Sequence, residues 1–192
     1  MLNDALFYAP YEIIGGKKIM SAMAFINHSG IIMRLGSRIF NYVDLNNCGY
    51  VFTDNVDVYL PDGNLFRPDL TVITQENADI INWKGAIRGV PDMVVEVLSR
   101  STRKNDLTVK KDAYESNGVK EYWIIDPLAK TVDVYILRDG KFILDDSYFK
   151  CSPDELELMS DEEKAALKSE IKVSIFDDLY VKVDDIFGWI RD

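Results

Sequence analysis

The sequence predicts an α/β fold, with a mixed central β-sheet flanked by helices and extended by antiparallel strands. Three observations carry this expectation. Residues 93–98 and 119–126 are nearly continuous apolar runs, the pattern of strands buried on both faces, with a helical stretch between them. Ile32, Leu35, Ile39 and Val43 recur at i, i+3, i+7 and i+11, one face of a helix that must pack on something. Gly15-Gly16, Asp62-Gly63 and Asp139-Gly140 are turn signals between short apolar stretches, as antiparallel hairpins require. At 192 residues the chain is long enough for one sizeable core, and a single domain over residues 1–192 is expected.

The elements follow in order. Residues 11–23 read as strand, Gly15-Gly16 turn and strand. Asn27 or Ser29 is placed to cap a helix running to about Tyr42. Residues 48–53 and 56–60 are short and β-branched or aromatic, and residues 66–73 return as a strand after the Asp62-Gly63 turn. Pro68 lacks an N–H donor, so that strand begins at an edge or a bulge. Residues 75–89 read as a polar loop containing Trp83. Strand 93–98 is followed by a helix from about Thr102 to Asn117, stopped by Gly118. Strand 119–126 ends at Pro127, and residues 132–137 and 141–144 form the hairpin around Asp139-Gly140. Ser160-Asp161-Glu162-Glu163 is a capping box opening a short helix to about Glu170. Residues 175–183 and 186–190 supply a last strand and a closing turn of helix.

Composition narrows the function. The net charge is −10, which counts against broad non-specific binding to nucleic acid. The charge is uneven, however. Residues 154–170 hold seven acids and two lysines, and the segment 153–170 reads as an acidic helical insertion. Residues 100–111 hold Arg100, Arg103, Lys104, Lys110 and Lys111 against Asp106 alone. No apolar run approaches the roughly 18 residues of a membrane span. The start, MLNDALFYAPYE, has neither a basic nor an apolar leader region, so a cytoplasmic protein is expected. Cys48 and Cys151 are two and far apart, which suits free thiols.

Chemistry concentrates around Glu96. This carboxylate lies inside the run Met93, Val94, Val95, Val97, Leu98, where an ionised group is costly unless a cation compensates it. Two kinds of partner are open to it. One is a divalent cation shared with Asp69, if the two strands are neighbours; hard oxygen ligands suit Mg²⁺ or Mn²⁺. The other is a cationic side chain, Arg67 or Lys110, with no metal. Asp106, Lys110 and Tyr114 are spaced by four and share a helix face that can look back at the strand. Two carboxylates, a divalent metal and a lysine are the parts needed for phosphodiester hydrolysis. His28, the only histidine, reads as a helix-start residue.

These residues also carry a resemblance. The order RPDL, then PDMVVEVLSRSTRKNDLTVKKDAYESNGVKEYWIIDP, resembles the PD-(D/E)xK nuclease superfamily and, more closely, the Uma-two family of restriction-endonuclease-like proteins. YEIIGGKKIMSAM with the following His28 fits that family's start, and the resemblance covers about residues 8–137. It implies a restriction-endonuclease-like core and a Mg²⁺- or Mn²⁺-dependent endonuclease acting on DNA as a homodimer. By that resemblance Asp69 and Glu96 are metal carboxylates, the Val97 main-chain carbonyl completes the set, and Glu12 is a further ligand. The superfamily's lysine stands two residues after the glutamate; here that position is Leu98, and Lys110 from the following helix takes its place. Catalysis then rests on Asp69, Glu96 and Lys110, with Arg100, Arg103, Lys104, Lys111 and Tyr114 toward the substrate. The competing expectation is a nuclease-like fold without activity, kept for protein interaction or dimerisation. A small phosphorylated substrate would reuse the same site.

Overall fold

The computed structural model describes residues 11–20, 26–54, 56–99 and 103–190. Gly15 and Gly16 take φ of 54° and 75° and turn β1 (Tyr11–Ile14) into β2 (Lys17–Met20), so the expected hairpin forms; its residues 21–23 lie outside the described chain. Helix α1 (Ile26–Asn46) buries Ile32, Leu35, Ile39 and Val43 on one face, as their spacing predicts. It runs four residues past Tyr42, and Asn47, with φ of 47°, ends it. Next come β3 (Gly49–Thr53) and β4 (Asp57–Tyr59).

The single strand expected over residues 66–73 is two strands. β5 (Leu65–Phe66) and β6 (Leu70–Thr74) lie in different sheets, and Arg67-Pro68-Asp69 crosses between them. Pro68 cannot donate to a ladder, so the pairing stops there and the chain changes sheet. The expected loop at 75–89 is also more ordered than its polarity suggests. It holds a 3₁₀ turn (Gln75–Ile80) and the short hairpin β7 (Ile81–Asn82) and β8 (Ala86–Arg88).

β9 (Met93–Val97) is buried at every position. The predicted helix after it is present from Arg103, in three segments: α2 (Arg103–Asn105), a π-helical turn (Asp106–Lys110) and α3 (Lys111–Asn117). Gly118 closes it with φ of 91°, its N–H donating to the Tyr114 and Glu115 carbonyls. β10 (Glu121–Asp126) runs parallel to β9, and the parallel pair sits in the middle of the sheet. β11 (Thr131–Arg138) and β12 (Lys141–Phe149) form the hairpin around Asp139 and Gly140, with φ of 52° and 76°.

The acidic segment folds as two short exposed helices, α4 (Pro153–Leu158) and α5 (Asp161–Ala166), each opened by a capping box, Ser152 with Glu155 and Ser160 with Glu163. The second ends at Ala166, because Glu170 already belongs to β13 (Glu170–Lys172). β13 pairs with β14 (Tyr180–Lys182), so the last strand expected over 175–183 is half turn and half hairpin. α6 (Val183–Phe187) follows and packs on α1.

The larger sheet has the order β12-β11-β10-β9-β6-β3 and is mixed, parallel only between β9 and β10. The smaller sheet has the order β2-β1-β5-β4-β8-β7. One core joins α1 and the C-terminal hairpin to one face of the larger sheet through Val95, Val97, Trp123 and Ile125. A second joins its other face, through Val94, Tyr122 and Ile124, to α3 and the inner side of the smaller sheet. The mixed α/β architecture flanked by helices is therefore as the sequence predicts.

Candidate active site

β6 and β9 are neighbours, with Leu70 opposite Val95. One step further along this ladder, Asp69 stands opposite Glu96. β3 extends the row, since the Asp54 N–H donates to the Asp69 carbonyl (3.2 Å). Three carboxylates therefore line up across three strands where the sheet ends. Glu96 shares the face of Val94 and Leu98, as strand alternation requires, and looks toward the helix that follows.

That helix meets it. Lys110 Nζ lies 3.0 Å from Glu96 Oε1, and the Tyr114 hydroxyl donates to the same oxygen at 2.9 Å. Glu96 and Lys110 are each 3% exposed and Tyr114 is fully buried. The ammonium also reaches Glu12 Oε1 (2.8 Å) and Asp106 Oδ1 (3.3 Å). Glu12, from β1, accepts the Arg67 N–H at 3.1 Å and so ties the smaller sheet to this cluster. Asp106 and Lys110, four residues apart in the π-helical turn, are both turned inward, as their spacing on one helix face predicts.

The electrostatics follow from burial. Desolvation pushes the Glu96 carboxyl well above its ordinary range; Lys110 opposes this, and Asp106, Asp69 and Glu12 add to it. Burial alone would lower Lys110, but the attraction of Glu96, Asp106 and Glu12 outweighs it and holds the ammonium protonated. The Tyr114 hydroxyl is raised by burial and by Glu96.

Asp69 has a different set of partners. Its Oδ2 accepts the Val97 N–H at 2.6 Å and lies 3.2 Å from His28 Nε2. His28 is in the first turn of α1, as expected of a helix-start residue, yet it also touches the carboxylate row. Asp54 is raised to about 6, by burial and then by the adjacent Asp69 charge, and it shares a hydrogen bond with Asp69. The sequence singled out neither Asp54 nor the His28–Asp69 contact. Only the strand register, which places residue 54 beside 69, could have signalled the first.

The structure thus brings Asp69, Glu96, Lys110, Tyr114 and Glu12 together, and it meets Val97 through its N–H. Tyr114 belongs to the core, because a fully buried ring offers no surface to a ligand. Arg103 is paired with Asp126, Lys111 lies 3.6 Å over the Tyr135 ring, and Lys104 is exposed. Arg100 lies outside the described residues. Among the described residues no three His, Cys, Asp or Glu side chains form a group that could hold a metal ion.

The mixed sheet flanked by helices, with Glu96 near the end of its central strand β9, is a restriction-endonuclease-like α/β fold. A solved structure agrees: the chain matches "a putative nuclease belonging to DUF820" from Anabaena variabilis at a TM-score of 0.71 and 22% identity, over 94% of this chain and 91% of that one. At this identity the likeness speaks for the fold. Comparison with curated proteins gives no match. The family model described as "Putative restriction endonuclease" matches residues 9–162, and the chain belongs to that family, Uma2.

Proposed function

We propose that this chain is a divalent-metal-dependent endonuclease that hydrolyses phosphodiester bonds in DNA. The observation that carries the reading is the buried Glu96–Lys110 pair standing one strand away from Asp69. Folding alone favours a hydrophobe at position 96, since replacing a buried ion pair with packed apolar residues is often neutral or stabilising.

Asp69 and Glu96, with the Val97 carbonyl, are the residues to hold Mg²⁺ or Mn²⁺. The donor set does not fit a cation caged by protein alone, as no group of three is assembled among the described residues. It fits an ion carried by two carboxylates and completed by water and a substrate phosphate, the usual habit of Mg²⁺. Burial first, and then the neighbouring carboxylates, push Glu96 and Asp54 toward their protonated forms, and an ion bound between them would favour the charged ones. Bound there, the ion supplies charge neutralisation at the phosphate and a more acidic water. The chain's own residues do the positioning. Lys110 and Tyr114 fix one oxygen of Glu96, Val97 and His28 fix one oxygen of Asp69, and Lys110 keeps a positive charge beside Glu96. Cutting both strands of a duplex takes two cleavage events, and the reading assigns one site of a homodimer to each.

One observation favours the second reading, a nuclease-like fold kept for protein interaction. Lys110 is almost wholly enclosed by Glu12, Glu96 and Asp106, as a purely structural ammonium would be. The deciding experiment is cleavage of plasmid and oligonucleotide DNA with Mg²⁺ or Mn²⁺, comparing wild type with Asp69→Asn and Glu96→Gln. We expect metal-dependent cleavage that falls by at least about a hundredfold in each folded variant. No wild-type cleavage, or equal rates in all three proteins, overturns the proposal.

A further inference from the structure

On the basic helix that the sequence offered as the substrate face, Arg103 is paired with Asp126 and Lys110 is enclosed by carboxylates. A different surface has the required character. In the smaller sheet Glu12, Ile14, Val58, Phe66 and Ile87 point into the core. Their alternates face out: Tyr11 on β1, Asp57 and Tyr59 on β4, Arg88 on β8, and Arg67 just after β5. On this outer side Lys18 Nζ lies 3.9 Å over the Tyr11 ring, and the Arg67 guanidinium lies 5.5 Å from the same ring. Arg88 lies 4.5 Å over Tyr59, which it directly opposes in the ladder. Lys17 and Lys18 at the β1–β2 turn are exposed, as is Arg88. Asp57, the acid on these outward rows, is paired with Arg67. In a chain of net charge −10, this face carries Lys18, Arg67, Arg88 and two tyrosine rings around the apolar pair Ile13 and Leu65.

We propose that the outer face of the smaller sheet is a binding platform for single-stranded nucleic acid, on the side of the sheet opposite Glu12 and the Glu96 cluster. Rings paired with cations suit an unpaired strand: bases stack on the aromatic and guanidinium planes, and the ammonium groups meet phosphates. A duplex keeps its bases stacked internally and would use only the charge. The platform and the site share residues of the same strands. On β1, Tyr11 faces out beneath Lys18 while Glu12, its neighbour, faces in to Lys110. Arg67 bonds Glu12 through its N–H, and Asp69 follows two residues on. The inference rests on the nuclease reading but concerns a surface rather than the catalytic groups.

The test is fluorescence anisotropy with labelled single-stranded DNA and its duplex, in chelator so that nothing is cut. It compares wild type, the double variant Lys18→Glu with Arg88→Glu, and Lys141→Glu as a charge control whose partner is Glu115 on α3. Melting temperatures check that each protein is folded. We expect the double variant to bind the single strand at least about tenfold more weakly, with a salt dependence shallower by roughly 1–2 released ions. The control should stay within about twofold. Equal binding by the double variant, an equal loss in the control, or wild-type preference for the duplex overturns the platform while leaving the nuclease reading intact. Wild type that binds no DNA of either form also overturns the platform, while the metal-dependent cleavage assay decides the nuclease reading.

Discussion

Lys110 is the residue on which the interior of this protein depends most. It is one ammonium among three carboxylates, Glu12, Glu96 and Asp106, all buried. Removing it leaves like charges facing one another with no solvent to screen them. Lys110→Met, similar in length but neutral, should therefore cost about 3–5 kcal/mol of stability, read as a lower urea midpoint at unchanged slope. A loss under about 1 kcal/mol would mean that the carboxylates take up protons instead, the direction in which burial already pushes Glu96. The same substitution separates role from scaffold. An active but weakened Lys110→Met protein would show the ammonium to be structural, whereas a folded and inactive one places it in the chemistry.

At the level of elements, α1 shows how tertiary contact overrides local preference. Gly30 lies in the helix, where alanine is favoured by about 1 kcal/mol. Yet a Cβ at this position would fall 2.1 and 2.3 Å from Cη2 and Cζ2 of Trp189. Gly30→Ala should therefore destabilise by about 1–3 kcal/mol and shift the tryptophan emission, since the ring must move. A stabilised variant with unchanged emission would show that the helix term wins. Contacts of this kind also mark what the sequence could convey. Turns with left-handed residues were legible at Gly15-Gly16, Asp139-Gly140 and Gly118, because that backbone demands glycine or a close substitute. The buried face of α1 was legible from periodicity, which also put Asp106, Lys110 and Tyr114 on one helix face, while Lys110 was one of several partners the sequence left open for Glu96. The sheet change at Pro68 was not, because a proline signals a break in pairing without saying which sheet receives the next strand. β7 and β8 are two and three residues long, too short for alternation to register. The π turn keeps the i, i+4 spacing of an α-helix in sequence, so only the structure reveals it. His28 and Asp54 reach Asp69 through tertiary packing and strand register, which one sequence does not encode locally.

For the whole molecule, stability across pH turns on a carboxyl remote from the candidate site. Glu121, on the central strand β10, is fully buried and accepts hydrogen bonds from Trp123 Nε1 (2.7 Å) and the Ile175 N–H (3.1 Å). It thereby pins the turn of the C-terminal hairpin to the sheet. Burial raises this carboxyl from 4.5 to about 7, outweighing those bonds. A folded-state value above the unfolded one makes the neutral form the stabilising one. Its contribution is complete below about pH 4.5 and is lost as pH rises through about 7, a change of about 3 kcal/mol. Asp92 sets the opposite limb. Burial would raise it, but Lys120, Thr74 and Asn77 hold it below its ordinary 3.8, so its contribution fades as the solution becomes more acid than that. The chain's net charge of −10 adds self-repulsion on the alkaline side. The urea midpoint should therefore be highest in mildly acid solution and fall toward about pH 8. Glu121→Gln cannot ionise, so its midpoint should fall much less over the same range, although it starts lower because its amide meets the Ile175 N–H with a donor in one orientation. Parallel decline in both proteins would assign the slope to net charge, and the C-terminal hairpin would then be held by its apolar contacts with α1 rather than by Glu121.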